Sequence, residues 1–122
     1  MFPRKILIAA SCAALLAGCA ASASLHSDNG VLVDGAGRTV YTFDKDVANS
    51  GRSACNGPCA ALWPAVPSTG MALSPPYAEV MRDDGSRQLS YKGQPLYLYS
   101  ADRKPGDRSG DHFKDVWHVV QQ

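Results

Sequence analysis

Apolar positions along the chain form one continuous run and then a series of short alternating ones. The run, Ile6 to Ala17, follows Arg4 and Lys5. It is long enough to engage a translocon but too short to span a bilayer comfortably, since a spanning helix needs about 20 residues. Beyond it no stretch shows the three-to-four-residue period of an amphipathic helix. Ala60-Ala61-Leu62-Trp63 predicts a single helical turn before Pro64. Strand patterns are plentiful. Val31-Leu32-Val33 and Arg38 to Phe43 flank Asp34-Gly35-Ala36-Gly37 and predict a hairpin. Tyr77 to Arg82 predicts a strand closed by the turn Asp83-Asp84-Gly85-Ser86. Arg87 to Tyr91, Pro95 to Ser100 and Val116 to Val120 complete the set, with Lys92-Gly93 as a further turn. The stretches 45–57 and 101–111 are Gly- and Asp-rich loops.

The pattern repeats. Gly37 to Asp46 aligns with Gly93 to Asp102, each copy reading Gly, an aliphatic, Tyr, an aromatic two on, and Asp five after the Tyr. Each copy is followed by a polar loop and a tryptophan, Trp63 and Trp117. A unit this short cannot bury its own face, so two copies are expected to pack as one pseudo-symmetric domain. Tyr41 and Phe43 alternate with Val40 and Thr42, and Tyr97 and Tyr99 with Leu96 and Leu98. Strands apolar on both faces are central ones, here covered by the tryptophans. The expected fold is all-β: a small single domain of two diverged repeats (about 28–66 and 77–122), with little helix outside the leader.

Leu16-Ala17-Gly18-Cys19 resembles the lipobox of bacterial lipoproteins: aliphatic, small, Gly or Ala, then Cys. The resemblance implies cleavage before Cys19, a diacylglycerol on its thiol, acylation of the new amino terminus with a palmitate-type chain, and a membrane anchor. Ala20 in place of Asp resembles the signal for outer-membrane sorting. Two other readings use the same segment: a secretory signal cut after Ala23, and an uncleaved anchor. On the lipoprotein reading, 1–18 is a leader, 19–27 a small-residue tether and 28–122 the domain.

Processing changes the charge. The whole chain is formally +1; loss of Arg4 and Lys5 leaves 10 basic residues against 11 acidic, or −1. The basic residues are scattered, which argues against a nucleic-acid partner. Cys12 leaves with the leader and Cys19 is lipidated, so Cys55 and Cys59 are the remaining thiols.

Tyr41 with Asp46, Tyr97 with Asp102, the loop Cys55 to Pro64, the stretch Gln88 to Tyr97 and the closing Trp117 resemble the bacterial family called the secreted repeat of unknown function, whose signature is Tyr-x4-Asp in tandem. That resemblance covers the exported part but implies no activity.

Three chemistries are open to Cys55 and Cys59. Gly57-Pro58 between them favours a turn that brings the sulfurs together, and export favours a structural disulfide. A tight ring could also serve as a redox pair. Two thiolates could bind copper(I) or zinc(II) with His26, His112, His118, Met71 or Met81. The Tyr-x4-Asp pairs read as packing plus loop closure, or as a ligand pocket. Asp102, Asp107, Asp111 and Asp115 do not follow a calcium-loop pattern. His118 has no nucleophile assigned to it, and hydrolase and phosphate-loop motifs are missing from the sequence. The expected role is a noncatalytic envelope lipoprotein, binding or structural, with an envelope protein as possible partner and no cofactor, metal or catalytic residue assigned. The alternative is a periplasmic redox or metal-handling protein.

Overall fold

The computed structural model describes residues 25–68 and 73–122. The apolar run from Ile6 to Ala17, Cys19 and Met71 lie outside the described residues. The strands are β1 (His26–Asp28), β2 (Val31–Val33), β3 (Tyr41–Phe43), β4 (Tyr77–Met81), β5 (Arg87–Tyr91), β6 (Gln94–Pro95) and β7 (Trp117–Val119). Among the described residues helix is confined to α1 (Pro58–Leu62) and a 3-10 turn at Phe113–Asp115. The protein is all-β. No helix among the described residues is long and apolar enough to cross a membrane.

The strands form three antiparallel groups, β1-β2, β3-β7 and β4-β5-β6, stitched together by single bridges. Two differences from the sequence reading stand out. His26 and Ser27, read as tether, pair with Val33 and Leu32, so part of that stretch belongs to the β structure. The hairpin partner of β2 is shorter than Arg38 to Phe43. Asp34 folds back to accept the N–H groups of Ala36 and Arg38, which leaves Thr39 as the single bridge to Val33. A carboxylate that caps its own turn competes with ladder pairing.

The segment read as one strand from Pro95 to Ser100 changes partner along its length. Leu96 donates to Leu89, Tyr97 pairs with Tyr41, and Leu98 and Ser100 donate to Pro64 and Leu62. The equivalent first-repeat segment behaves alike: Val40 donates to Leu32, and Asp44 to Val116. Two closed sets of backbone bonds result. Leu32, Val40 and Val120 form one; Leu89, Leu96 and Val66 form the other. In each set, two residues come from one repeat and the third from the tail of the other. The repeats have exchanged their final segments.

At the centre the two tyrosines pair reciprocally. Tyr41 N–H donates to the Tyr97 carbonyl at 2.8 Å, and Tyr97 N–H to the Tyr41 carbonyl at 2.9 Å. The alternation of these strands separates two interiors. Leu32, Val40, Val66, Leu89, Leu96, Leu98 and Val120 form an aliphatic cluster. Tyr41, Phe43, Cys55, Trp63, Tyr97 and Trp117 form an aromatic one. One face of each central strand therefore buries branched aliphatics and the other buries rings.

The β5-β6 turn also holds the first repeat's loop. Gly93 has φ 82°, and a Cβ there would lie 2.2 Å from Asn49 Oδ1, while Asn49 N–H donates to the Gly93 carbonyl at 3.0 Å. Only glycine permits both that backbone conformation and that approach.

Candidate functional site

The Tyr-x4-Asp motif works across the repeats, not within them. The Tyr41 hydroxyl donates to Asp102 at 2.6 Å, and the Tyr97 hydroxyl to Asp46 at 2.5 Å. Each aspartate uses its second oxygen to close its own loop. Asp46 accepts the Ala54 N–H at 2.6 Å, and Asp102 accepts the Ser109 N–H at 3.0 Å. The sequence offers two readings of the motif, packing with loop closure or a ligand pocket. Neither contains the exchange of partners, because linear spacing carries no information about which copy a side chain meets.

Both tyrosines are fully buried. Burial first, and then the hydrogen bond to an aspartate, pushes each phenol well above its ordinary pKa. Asp46 is also raised. Its burial outweighs the opposing hydrogen bonds from Tyr97 and Ala54 and the charge of Arg82.

The two halves differ around this shared plan. The Tyr41 hydroxyl receives the Gly110 N–H at 3.3 Å. The Tyr97 hydroxyl lies 2.6 Å from Ser53 Oγ, which also receives Arg82 at 3.0 Å. Arg82 bonds Gln88 at 2.6 Å and reaches the carbonyl of Cys55 and the side chain of Asn56. Gln88 passes the network to the Leu96 carbonyl at 2.7 Å. Arg82 and Gln88 are buried and were not singled out by sequence chemistry. A lone Arg after a strand reads as a solvated charge, and only the fold turns it beneath the Cys loop.

Cys55 and Cys59 form a disulfide with Cα atoms 5.2 Å apart. Cys55 is fully buried against the aromatic cluster, and its N–H and carbonyl are held by Ser53 and Arg82. The pair is therefore sulfur-to-sulfur, and the histidines considered as its co-ligands sit elsewhere. His26 lies on exposed β1, Met81 is exposed on β4, and His112 and His118 gather with Asp111.

Trp63 and Trp117, one per repeat, stack face to face with centroids 3.7 Å apart and planes 1° from parallel. Tyr99 stacks on the far side of Trp63 at 4.2 Å, and Phe43 on the far side of Trp117 at 4.1 Å. Tyr41 and Tyr97 meet the tryptophans edge-on at 5.2 and 5.1 Å. The stacked and edge-on contacts just named each have a counterpart from the other repeat, whereas Phe113, tilted against Trp63 and Tyr99, has none. A shallow groove of about 240 Å³ opens beside it, lined by Phe43, Trp63, Phe113 and Trp117 with Lys45 and Lys114. It is a surface for contact, apolar within and positively charged at its lysines.

Fold and site together define a two-repeat β protein whose motif residues fasten one repeat to the other. The chain belongs to the family described as the secreted repeat of unknown function, matched at residues 24–67 and 78–121. That family places it among proteins exported from the cytoplasm. No curated protein and no solved structure matches the chain.

Proposed function

We propose that this exported protein is a noncatalytic envelope lipoprotein, anchored through Cys19 with the outer membrane as its favoured site, that acts by binding or as a structural component. The observation that carries the reading is where its most chemically capable groups are spent. Tyr41 with Asp102, and Tyr97 with Asp46, Ser53 and Arg82, are bonded to one another as crosslinks of the fold. A catalytic acid, base or nucleophile must instead present its atoms to a substrate. The buried position of Cys55 supports a fastening role for the disulfide in the same way. The aromatic groove beside Trp63 and Trp117 supports binding, since an apolar recess with a few polar groups at its edge suits recognition.

The test is one comparison of wild type with Cys19→Ser in the native host. Wild type is expected in the membrane fraction with an acyl mass increment, and Cys19→Ser in the soluble fraction without it. The disulfide of the wild-type protein is expected to stay closed against glutathione-range reductant, as structural disulfides with potentials below about −300 mV do. Soluble, unacylated wild type would overturn the anchor. A Cys55–Cys59 pair that cycles with cellular oxidoreductases would overturn the noncatalytic role in favour of the redox alternative.

A further inference from the structure

We propose that Asp111, His112 and His118 form a binding site for a borderline divalent transition-metal ion of the zinc(II), copper(II) or nickel(II) class. This lies apart from the role just given and from the cysteines. One ligand atom from each of the three residues lies within 4.8 Å of the others. The imidazole rings of His112 and His118 stand 5.3 Å apart, edge to face. His112 Nε2 is 3.7 Å from Asp111 Oδ2.

The chain builds this grouping deliberately. His118 is the middle residue of β7, between inward Trp117 and Val119, and its partner across the ladder is Thr42. His112 would lie far from it on an extended chain. Its left-handed conformation (φ 62°) and the 3-10 turn after it reverse the backbone, and its N–H closes the loop on the Trp117 carbonyl at 2.7 Å. Asp111 is held by its other oxygen, which accepts the Val119 N–H at 3.1 Å. Asp44 follows β3, bonds its N–H to Val116, and sets a second carboxylate 2.8 Å from His118 Nε2.

Donor chemistry selects the cation. Two imidazoles suit zinc, copper and nickel, whereas calcium and magnesium favour sites made of oxygen alone. Two carboxylates beside them match the charge of a dication. Metal–nitrogen bonds of about 2.0–2.1 Å in a tetrahedral site put ligand atoms roughly 3.3 Å apart. The present separations need only a modest side-chain rotation to reach that, and His112 is 73 % exposed and able to make it. Because Asp44 holds Nε2 of His118, that ring would bind the ion through Nδ1, and a carboxylate on the other nitrogen of a metal-binding imidazole fixes the ring and raises its basicity.

The test uses the full chain extracted in detergent, without a polyhistidine tag and stripped of metal by chelator. Zinc chloride and calcium chloride are titrated calorimetrically, and the melting temperature is read with and without zinc. Wild type is expected to take one equivalent of zinc with micromolar or tighter affinity, to gain thermal stability from it, and to bind calcium far more weakly. His112→Ala/His118→Ala is expected to weaken zinc binding by on the order of 100-fold, and His26→Ala to leave it unchanged. His112→Ala alone removes an exposed ring, so it keeps the fold and is expected to lose at least about tenfold. The proposal is overturned by wild type that shows no zinc binding, or by His112→Ala and the double variant binding zinc as wild type does.

Discussion

Tyr41 and Tyr97 are the two residues whose ionisation the fold opposes most strongly. Each hydroxyl is sealed from water and donates to an aspartate. A phenolate there would be desolvated and would face a carboxylate acceptor. The folded pKa of each therefore lies above the ordinary value, which is about 10. The stabilising consequence is complete below that ordinary value and is lost as pH rises toward the folded one, because the unfolded chain releases protons that the native chain keeps. Two such groups give a slope of about 2.7 kcal/mol per pH unit. The melting temperature is expected to hold between neutrality and about pH 9 and to fall steeply above about pH 10. Tyr41→Phe is expected to halve that slope, and an unchanged slope would mean that Tyr41 ionises as freely as in the unfolded chain. The importance of these residues was legible from the doubled Tyr-x4-Asp spacing. Their partners were not, since Asp46 and Asp102 each lie closer in sequence to the wrong tyrosine.

The strands are individually too short to be stable, and their exchange of partners makes up for it. β3, of three residues, pairs with β7 from the other repeat and meets Tyr97 at its opposite edge. Short strands gain stability from shared packing more than from propensity. The sequence pattern located these segments because alternation marks a half-buried strand. It overextended two of them, at Arg38 and toward Ser100, because periodicity is blind to where a partner ends. It also missed the proximity of His112 and His118, which depends on three residues with positive φ (His112, Lys114 and Asp115), none of them glycine. The loop before β7 has a further constraint. A Cβ on Gly110 would lie 2.4 Å from the Trp63 ring and 3.0 Å from Tyr99. Trp63 cannot yield, since it is held between Trp117 and Tyr99. Gly110→Ala is expected to cost about 1–3 kcal/mol in urea denaturation, the range for overpacking a filled core. A Gly110→Ala midpoint equal to wild type would show that the ring column is looser than its stacking distances imply.

At the scale of the molecule, two copies of a motif are joined by an exchange of parts. Val66 of the first repeat completes the backbone bonds of Leu89 and Leu96, and Val120 of the second completes those of Leu32 and Val40. Trp63 and Trp117 meet face to face, and each buried tyrosine depends on the other copy's aspartate. A repeat alone would expose to water the tyrosine, the tryptophan face and the aliphatic side chains that the other copy covers, at about 1.5–3 kcal/mol of lost burial for each large apolar side chain. A domain of this size has on the order of 5–10 kcal/mol in hand, so those losses alone approach the whole stability. Fragments 24–67 and 78–121 are therefore each expected to be unfolded by circular dichroism and to lack dispersed amide signals by NMR. Mixed, they are expected to recover strand structure with the shielded tryptophan fluorescence of the intact chain, because every interaction named here joins one fragment to the other. A fragment that folds alone would show that the repeats are separate domains in contact, and that their exchanged segments do not create the fold.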